Sequence, residues 1–244
     1  MKIEIFNEIE ALINALAKLI VIISKEAIAK NGQFNFVLSG GSSPRKLYEL
    51  LASDKFKDKI EWQKTYFFFG DERFVPAENS QRNSLMANES LFEPLKIPNS
   101  NIFALDTTKS PEESAEIYAK NIENHFNGNE IKFDFVLLGL GDNSHTASLF
   151  PFTSVLNARE STVKSVYVEE VNAYRITMTA PLINQAENIA FLVFGDNKSE
   201  AVHHILAEKN NEVEKYPAKL IAPKDGKLFW FLDENAAALL KPKS

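Results

Sequence analysis

The chain holds several short stretches whose residue types suit chemistry on an anionic substrate. One is Gly139-Leu140-Gly141-Asp142-Asn143-Ser144-His145, a flexible turn directly after the apolar run 133–138. A histidine there can serve as a general base at neutral pH, since its unperturbed pKa lies near about 6.5. A second is Ser39-Gly40-Gly41-Ser42-Ser43-Pro44, between a β-prone run and a helical pattern. Two glycines let backbone approach an anion closely, and proline suits the first helical turn. The unpaired N–H groups at a helix start then point at the ligand. A third is Gly70-Asp71-Glu72-Arg73, in which three charged residues follow the aromatic run 65–69. The last is Lys198, in the first turn of a helix expected to be capped by Asn197 and Glu200. A cation there opposes the helix dipole, and an anionic ligand nearby would explain it.

Familiar alternatives do not fit these stretches. No Gly-Lys-Ser/Thr follows Gly41, and neither glycine turn has the Gly-x-Gly-x-x-Gly spacing of a dinucleotide fingerprint. Ser144 and Ser148 sit in no Gly-x-Ser-x-Gly elbow, which makes a serine nucleophile unattractive. His125, His203 and His204 lie in helical patterns and read as surface or packing residues.

Alternating strands and helices must position these groups. The spacing predicts a long helix over residues 8–30, started by Asn7 with Glu10 and stopped near Asn31-Gly32. Strands are expected at 34–38, 65–69, 133–138, 165–168, 174–179, 189–194 and 228–232, with a weak one at 101–105. An amphipathic helix runs through Leu85, Met86 and Leu91. Ser110-Pro111-Glu112-Glu113 opens another that Asn127-Gly128-Asn129 closes, and a short alanine-rich helix follows the last strand. This succession implies a single α/β domain over residues 1–244, with a mainly parallel sheet flanked by helices. In such sheets ligands gather beyond the carboxyl ends of the strands, where the glycine turns, Asp71 and His145 fall.

Composition narrows the partners. The net charge of −6 argues against general affinity for nucleic acid or anionic membrane, so local cations must hold any anion. Cysteine is absent, which removes thiolate chemistry and cysteine-ligated metals and fits a reducing cytoplasm. The first residues lack a signal-peptide pattern, and the apolar run 16–23 is too short and too punctuated to span a bilayer.

Taken in order, Ser-Gly-Gly-Ser-Ser-Pro at 39–44, Gly-Asp-Glu-Arg-Phe-Val-Pro at 70–76 and Gly-Leu-Gly with His-Thr-Ala-Ser-Leu-Phe-Pro at 139–151 resemble the 6-phosphogluconolactonase family. So do Arg-Ile-Thr-Met-Thr at 175–179, Phe-Leu-Val-Phe-Gly-Asp-Asn-Lys at 191–198 and Trp-Phe-Leu-Asp at 230–233. The resemblance implies a Rossmann-like sheet shared with sugar-phosphate isomerases and deaminases. It implies hydrolysis of 6-phosphogluconolactone in the oxidative pentose phosphate pathway, without metal or organic cofactor; a monomer or small homo-oligomer is expected. On the matching positions His145 is the base that activates water, and Arg73 binds ring oxygens or the oxyanion. Asp71 orients His145 or binds sugar hydroxyls. Ser39, Gly40, Gly41, Ser42 and Ser43, with Arg175, Lys198 and Asn83, hold the substrate and its phosphate. The family's Pro-Asp-Gly before the histidine is here Asp142-Asn143-Ser144, so an amide stands where the acid is expected. Either the amide orients the ring without a full charge, or Asp142 takes the acid's place. A glucosamine-6-phosphate deaminase would want further carboxylates around this loop. A sugar-phosphate-binding regulator would want a DNA-binding segment that the chain does not display.

Overall fold

The computed structural model describes residues 1–240. Its centre is a six-stranded parallel sheet in the order β1 (Lys2–Phe6), β9 (Lys227–Asp233), β8 (Asn188–Val193), β5 (Phe135–Leu138), β2 (Phe34–Leu38) and β3 (Thr65–Phe69). β2, β5 and β8 are buried along their whole length, as their mostly apolar sequences require. A smaller antiparallel sheet orders β4 (Asp71–Arg73), β7 (Ala173–Met178) and β6 (Val163–Val168).

Both faces of the large sheet are covered. On one, α1 (Ile9–Asn31) packs beside α2 (Ser42–Ala52), and α1 buries Leu12, Leu16, Ala17 and Ile20 completely. The chain Asn83–Leu95 lies on the same side as α3 (Asn83–Ala87), a wider π-type turn (Asn88–Phe92) and α4 (Glu93–Leu95), bringing Phe92 against Phe67 and Phe69. Phe68 points the other way, onto Phe103, Phe126 and Phe133 beside the end of α5 (Pro111–His125). α6 (Ala180–Ile183) precedes β8, and α7 (Ser199–Leu206) follows it.

α1 ends at Gly32 in the left-handed conformation, φ 77°, as the Asn-Gly signal predicts, but no side chain caps its start and Asn7 lies outside it. α5 carries the expected capping box: Ser110 accepts from the Glu113 N–H, and Glu113 accepts from the Ser110 N–H. Several expectations need correction. Residues 101–105 form no strand; Ile102 makes one isolated bridge to Phe67. The alanine-rich segment after β9 folds as turns tied to Asp233, whose Oδ1 accepts from the Ala236 N–H. Asn197 does not cap α7, which starts at Ser199 after a 3₁₀ turn over Asp196–Lys198.

Chain direction defines a crevice. β2 leads through α2 outward to β3, whereas β5 leads outward to β8 and β9 on the opposite side. The carboxyl ends of adjacent β2 and β5 therefore flank a topological switch point, where α/β sheets bind ligands. At the amino end of β5, Asp134 is 2% exposed and accepts from the Asn35 N–H at 2.7 Å. Burial pushes its carboxyl up to about 6, against that hydrogen bond and the attraction of Lys30. No described helix is long and apolar enough to cross a membrane.

Candidate active site

The crevice holds a cavity of about 310 Å³, within the range of small-molecule sites. Its lining includes the Ser39–Ser43 turn, Asp71, Arg73, Asn83, His145, Arg175 and Lys198.

One wall of the cavity grows from β2. Gly41 stands just before α2 at φ 106°, a conformation that disfavours a side chain. The first helical bond runs from the Arg45 N–H to the Gly41 carbonyl at 3.2 Å, so the Ser42 and Ser43 N–H groups lie ahead of the ladder. The Tyr48 hydroxyl clamps the turn from behind, accepting from the Ser39 N–H at 3.0 Å and donating to its carbonyl at 2.8 Å. Burial drives this phenol far above its usual pKa, so it remains a neutral donor. Asn83 supports the turn from beneath. It is 1% exposed, and a Cβ on Gly40 would fall 1.7 Å from Asn83 Oδ1.

β4 supplies the charged wall. Strand alternation sends Asp71 and Arg73 to the cavity and Glu72 into the protein. Glu72 is fully buried and accepts from the N–H groups of Arg73 (2.8 Å), Asn83 (2.7 Å) and Ser84 (2.9 Å), while Arg82 Nε lies 3.6 Å away. It thereby anchors the start of α3 beneath the site. Arg73 donates one guanidinium N–H to the Gln81 carbonyl.

Asp71 is not hydrogen-bonded to His145. Its Oδ2 accepts from Ser148 Oγ at 2.6 Å, and Asn83 Nδ2 reaches its Oδ1 at 3.3 Å. The partner of the imidazole is Asn143, whose Oδ1 lies 2.5 Å from Nδ1. Asp142 is exposed and, among the described residues, accepts only from the Asn143 N–H, at 3.0 Å, so it does not replace the acid on the ring. The loop turns at Ser144 in the left-handed region, φ 67°, held by bonds from Ser144 N–H to the Gly141 carbonyl (3.0 Å) and from Gly141 N–H to the His145 carbonyl (2.8 Å).

The His145 ring stacks on Phe150 at 3.9 Å between centroids and 15° between planes. A Cβ on Gly141 would sit 2.1 Å from Nδ1, so this glycine leaves room for the ring. Burial depresses the imidazole to about 4; Lys198 and Arg175 add to this, while Asp71 and Asp142 oppose it. The ring is therefore neutral at pH 7. With Nδ1 facing a carbonyl oxygen, the lone pair belongs to Nε2, which has no protein partner among the described residues. Burial also lowers the Arg175 pKa, with a further contribution from the Arg73 charge.

The supporting roles of Glu72, Ser148, Tyr48 and Phe150 are not legible in the sequence reading above. Phe150 was within reach, lying five residues after the histidine in the same motif. The Ser148–Asp71 contact joins residues 77 apart and has no local signature. Among the described residues no group of three or more His, Asp or Glu side chains is placed to hold a metal ion.

The family model for glucosamine-6-phosphate isomerases/6-phosphogluconolactonase matches residues 7–230. A 6-phosphogluconolactonase of Nostoc sp. is 38% identical over 242 residues, covering 98% of this chain and 98% of its own. One from Synechocystis sp. is 38% identical over 221 residues, covering 89% of each. The solved 6-phosphogluconolactonase of Trypanosoma brucei superposes with a TM-score of 0.85 at 29% identity, covering 98% of each chain. The chain belongs to the glucosamine-6-phosphate isomerase/6-phosphogluconolactonase family.

Proposed function

We propose that the chain hydrolyses 6-phospho-D-glucono-1,5-lactone to 6-phosphogluconate, the ring-opening step of the oxidative pentose phosphate pathway. The observation that carries the reading is His145 itself: a neutral imidazole whose Nδ1 is tied to Asn143, in a cavity that also holds an anion-binding turn. The names of the relatives support the same substrate.

In this reading the substrate phosphate lies on the Ser42 and Ser43 N–H groups and the hydroxyls of the 39–43 turn, with Lys198 and Arg175 neutralising its charge. The lactone carbonyl then faces His145. Nε2 takes a proton from water as the water oxygen bonds to C1, and the carbonyl electrons move onto oxygen. Arg73 stabilises that oxyanion. Collapse of the tetrahedral intermediate breaks the bond from C1 to the ring oxygen, which receives the proton from the imidazolium and leaves as the C5 hydroxyl. The cycle needs no cofactor. Asp71 serves as an acceptor for sugar hydroxyls, and its bond to Ser148 sets its direction. Cytoplasmic residence is part of the proposal and is supported by the cysteine-free composition.

The test is to generate the lactone in situ and follow its loss above the spontaneous rate, with glucosamine 6-phosphate assayed in parallel. Accelerated lactone hydrolysis without ammonia release from the amino sugar is the expected result. Ammonia release without lactone hydrolysis would assign the cavity to deamination instead.

A further inference from the structure

The Asn143 side chain lies between two partners from different parts of the fold. Its Oδ1 receives His145 Nδ1 at 2.5 Å and the His145 backbone N–H at 3.2 Å. Its Nδ2 donates to Glu170 Oε2 at 2.7 Å. An ionised carboxylate only accepts, so Glu170 selects the NH₂ end of the amide and turns the carbonyl end toward the ring. That carbonyl oxygen also only accepts, so Nδ1 must carry the proton.

Glu170 arrives from the turn Glu169–Val171 between β6 and β7, closed by Asn172 in the left-handed conformation at φ 46°. The turn is steadied by the cross-strand pair Tyr167 and Tyr174, edge to face at 5.1 Å, and by the Tyr167 hydroxyl on Asn172 Oδ1. The same hairpin carries Arg175 into the cavity. The other charged groups acting on His145 are Asp71, Asp142 and Lys198, and none of them bonds to its ring.

We propose that Glu170 is a positioning residue for His145, fixing the Asn143 amide so that the imidazole holds its proton on Nδ1 and presents Nε2 to the substrate. The inference rests on the reading of His145 as the base. Glu170 is exposed, so solvent screens its charge at the ring, and its effect is chiefly orientational. The His145 backbone N–H shares the work at 3.2 Å, so losing Glu170 weakens the arrangement without abolishing it.

The tautomer reports on this directly. Long-range ¹H–¹⁵N spectra of the neutral protein, with the His145 signals assigned by their loss in His145→Ala, should show the Nδ1–H form. In Glu170→Ala the Nε2–H form should become populated, and kcat should fall about tenfold with KM changed less than about twofold, in keeping with the loss of an orienting partner. Glu170→Gln keeps an acceptor oxygen at the same place and should restore both the tautomer and the rate to within about twofold of the parent. A mere clamp between loops would leave the tautomer unchanged. An unaltered Nδ1–H spectrum and parental kcat in Glu170→Ala, alongside an inactive His145→Ala, would overturn the proposal while leaving the base intact. An active His145→Ala would remove the histidine from catalysis, and the spectra would still decide whether Glu170 sets its proton.

Discussion

Arg73 and Arg175 stand directly opposite each other in the ladder between β4 and β7. The Phe74 N–H bonds to the Tyr174 carbonyl and the Met178 N–H to the Gly70 carbonyl, which makes Arg73 and Arg175 a non-hydrogen-bonded pair. Side chains come closest at such pairs, and like charges there repel. An anion between the two guanidinium groups relieves the repulsion.

Arg175→Ala should therefore weaken 6-phosphogluconate binding by about tenfold or more, as expected for losing a charge-assisted phosphate contact. Turnover of unphosphorylated gluconolactone should hardly change. The ligand-free variant should melt no lower than the parent, since it loses a repulsion as well as a side chain. Calorimetric titration with product and a thermal melt check both parts; equal losses on both lactones would give Arg175 a catalytic role instead.

The imidazole should titrate far below its ordinary value. Burial places His145 near about 4, so the ring stays neutral as pH falls from 7 and gains its proton only as pH passes through that value. An NMR titration of the ligand-free protein reads this without interference from substrate phosphate; a midpoint near 6.5 would contradict it. His145→Ala should lower kcat by roughly 10² or more, the usual cost of losing a general base.

Gly141→Ala tests whether space for the ring matters. The added methyl would lie 2.1 Å from His145 Nδ1, so the ring must leave Asn143 and its stack on Phe150. The expected outcome is a drop in kcat of roughly tenfold or more with KM little altered, because the ring serves the transition state. Steady-state kinetics check it, and a parental kcat would show that the loop yields instead.

Asp134 gives a stability prediction far from the cavity. Its folded pKa of about 6 lies above the ordinary 3.8, so ionisation costs the folded state more than the unfolded chain. The cost develops as pH rises from about 4 to about 6 and then stays constant. Asn at this position keeps an acceptor for the Asn35 N–H and has no charge to desolvate. Asp134→Asn should thus gain on the parent across that interval, by about 1–3 kcal/mol at pH 7. Urea melts at pH 4 and pH 7 measure the difference, and a constant offset would refute the assignment.

Much of the frame was legible because doubly covered parallel strands are mostly apolar, as in Phe34–Leu38 and Asn188–Val193, where Asn35 and Asn188 are the exceptions. β1 was missed: Lys2-Ile-Glu-Ile-Phe is a partly exposed edge strand, and its brief alternation is a weak signal. β4 was missed because Asp71-Glu-Arg73 resembles a solvated loop until β7 pairs with it. The glycine turns and His145 were found because local sequence encodes them. Partners such as Ser148 for Asp71 and Glu170 for Asn143 come from tertiary approach over 77 and 27 residues, which no local pattern records.

Gly70 joins the two sheets. Its N–H bonds to the Leu38 carbonyl at the end of β2, and its carbonyl receives the Met178 N–H at the end of β7. The glycine turn proposed to hold phosphate begins at Ser39, directly after Leu38, and Arg73, proposed for the oxyanion, lies on the sheet that holds Met178. The span between these two grips is thus set by backbone bonds through one residue, with little freedom to stretch. The cavity acts as a ruler. On the proposed function it would select a substrate by the reach from its phosphate to its reactive carbon, so phosphorylated lactones of shorter carbon chain should be refused for length before any hydroxyl is inspected.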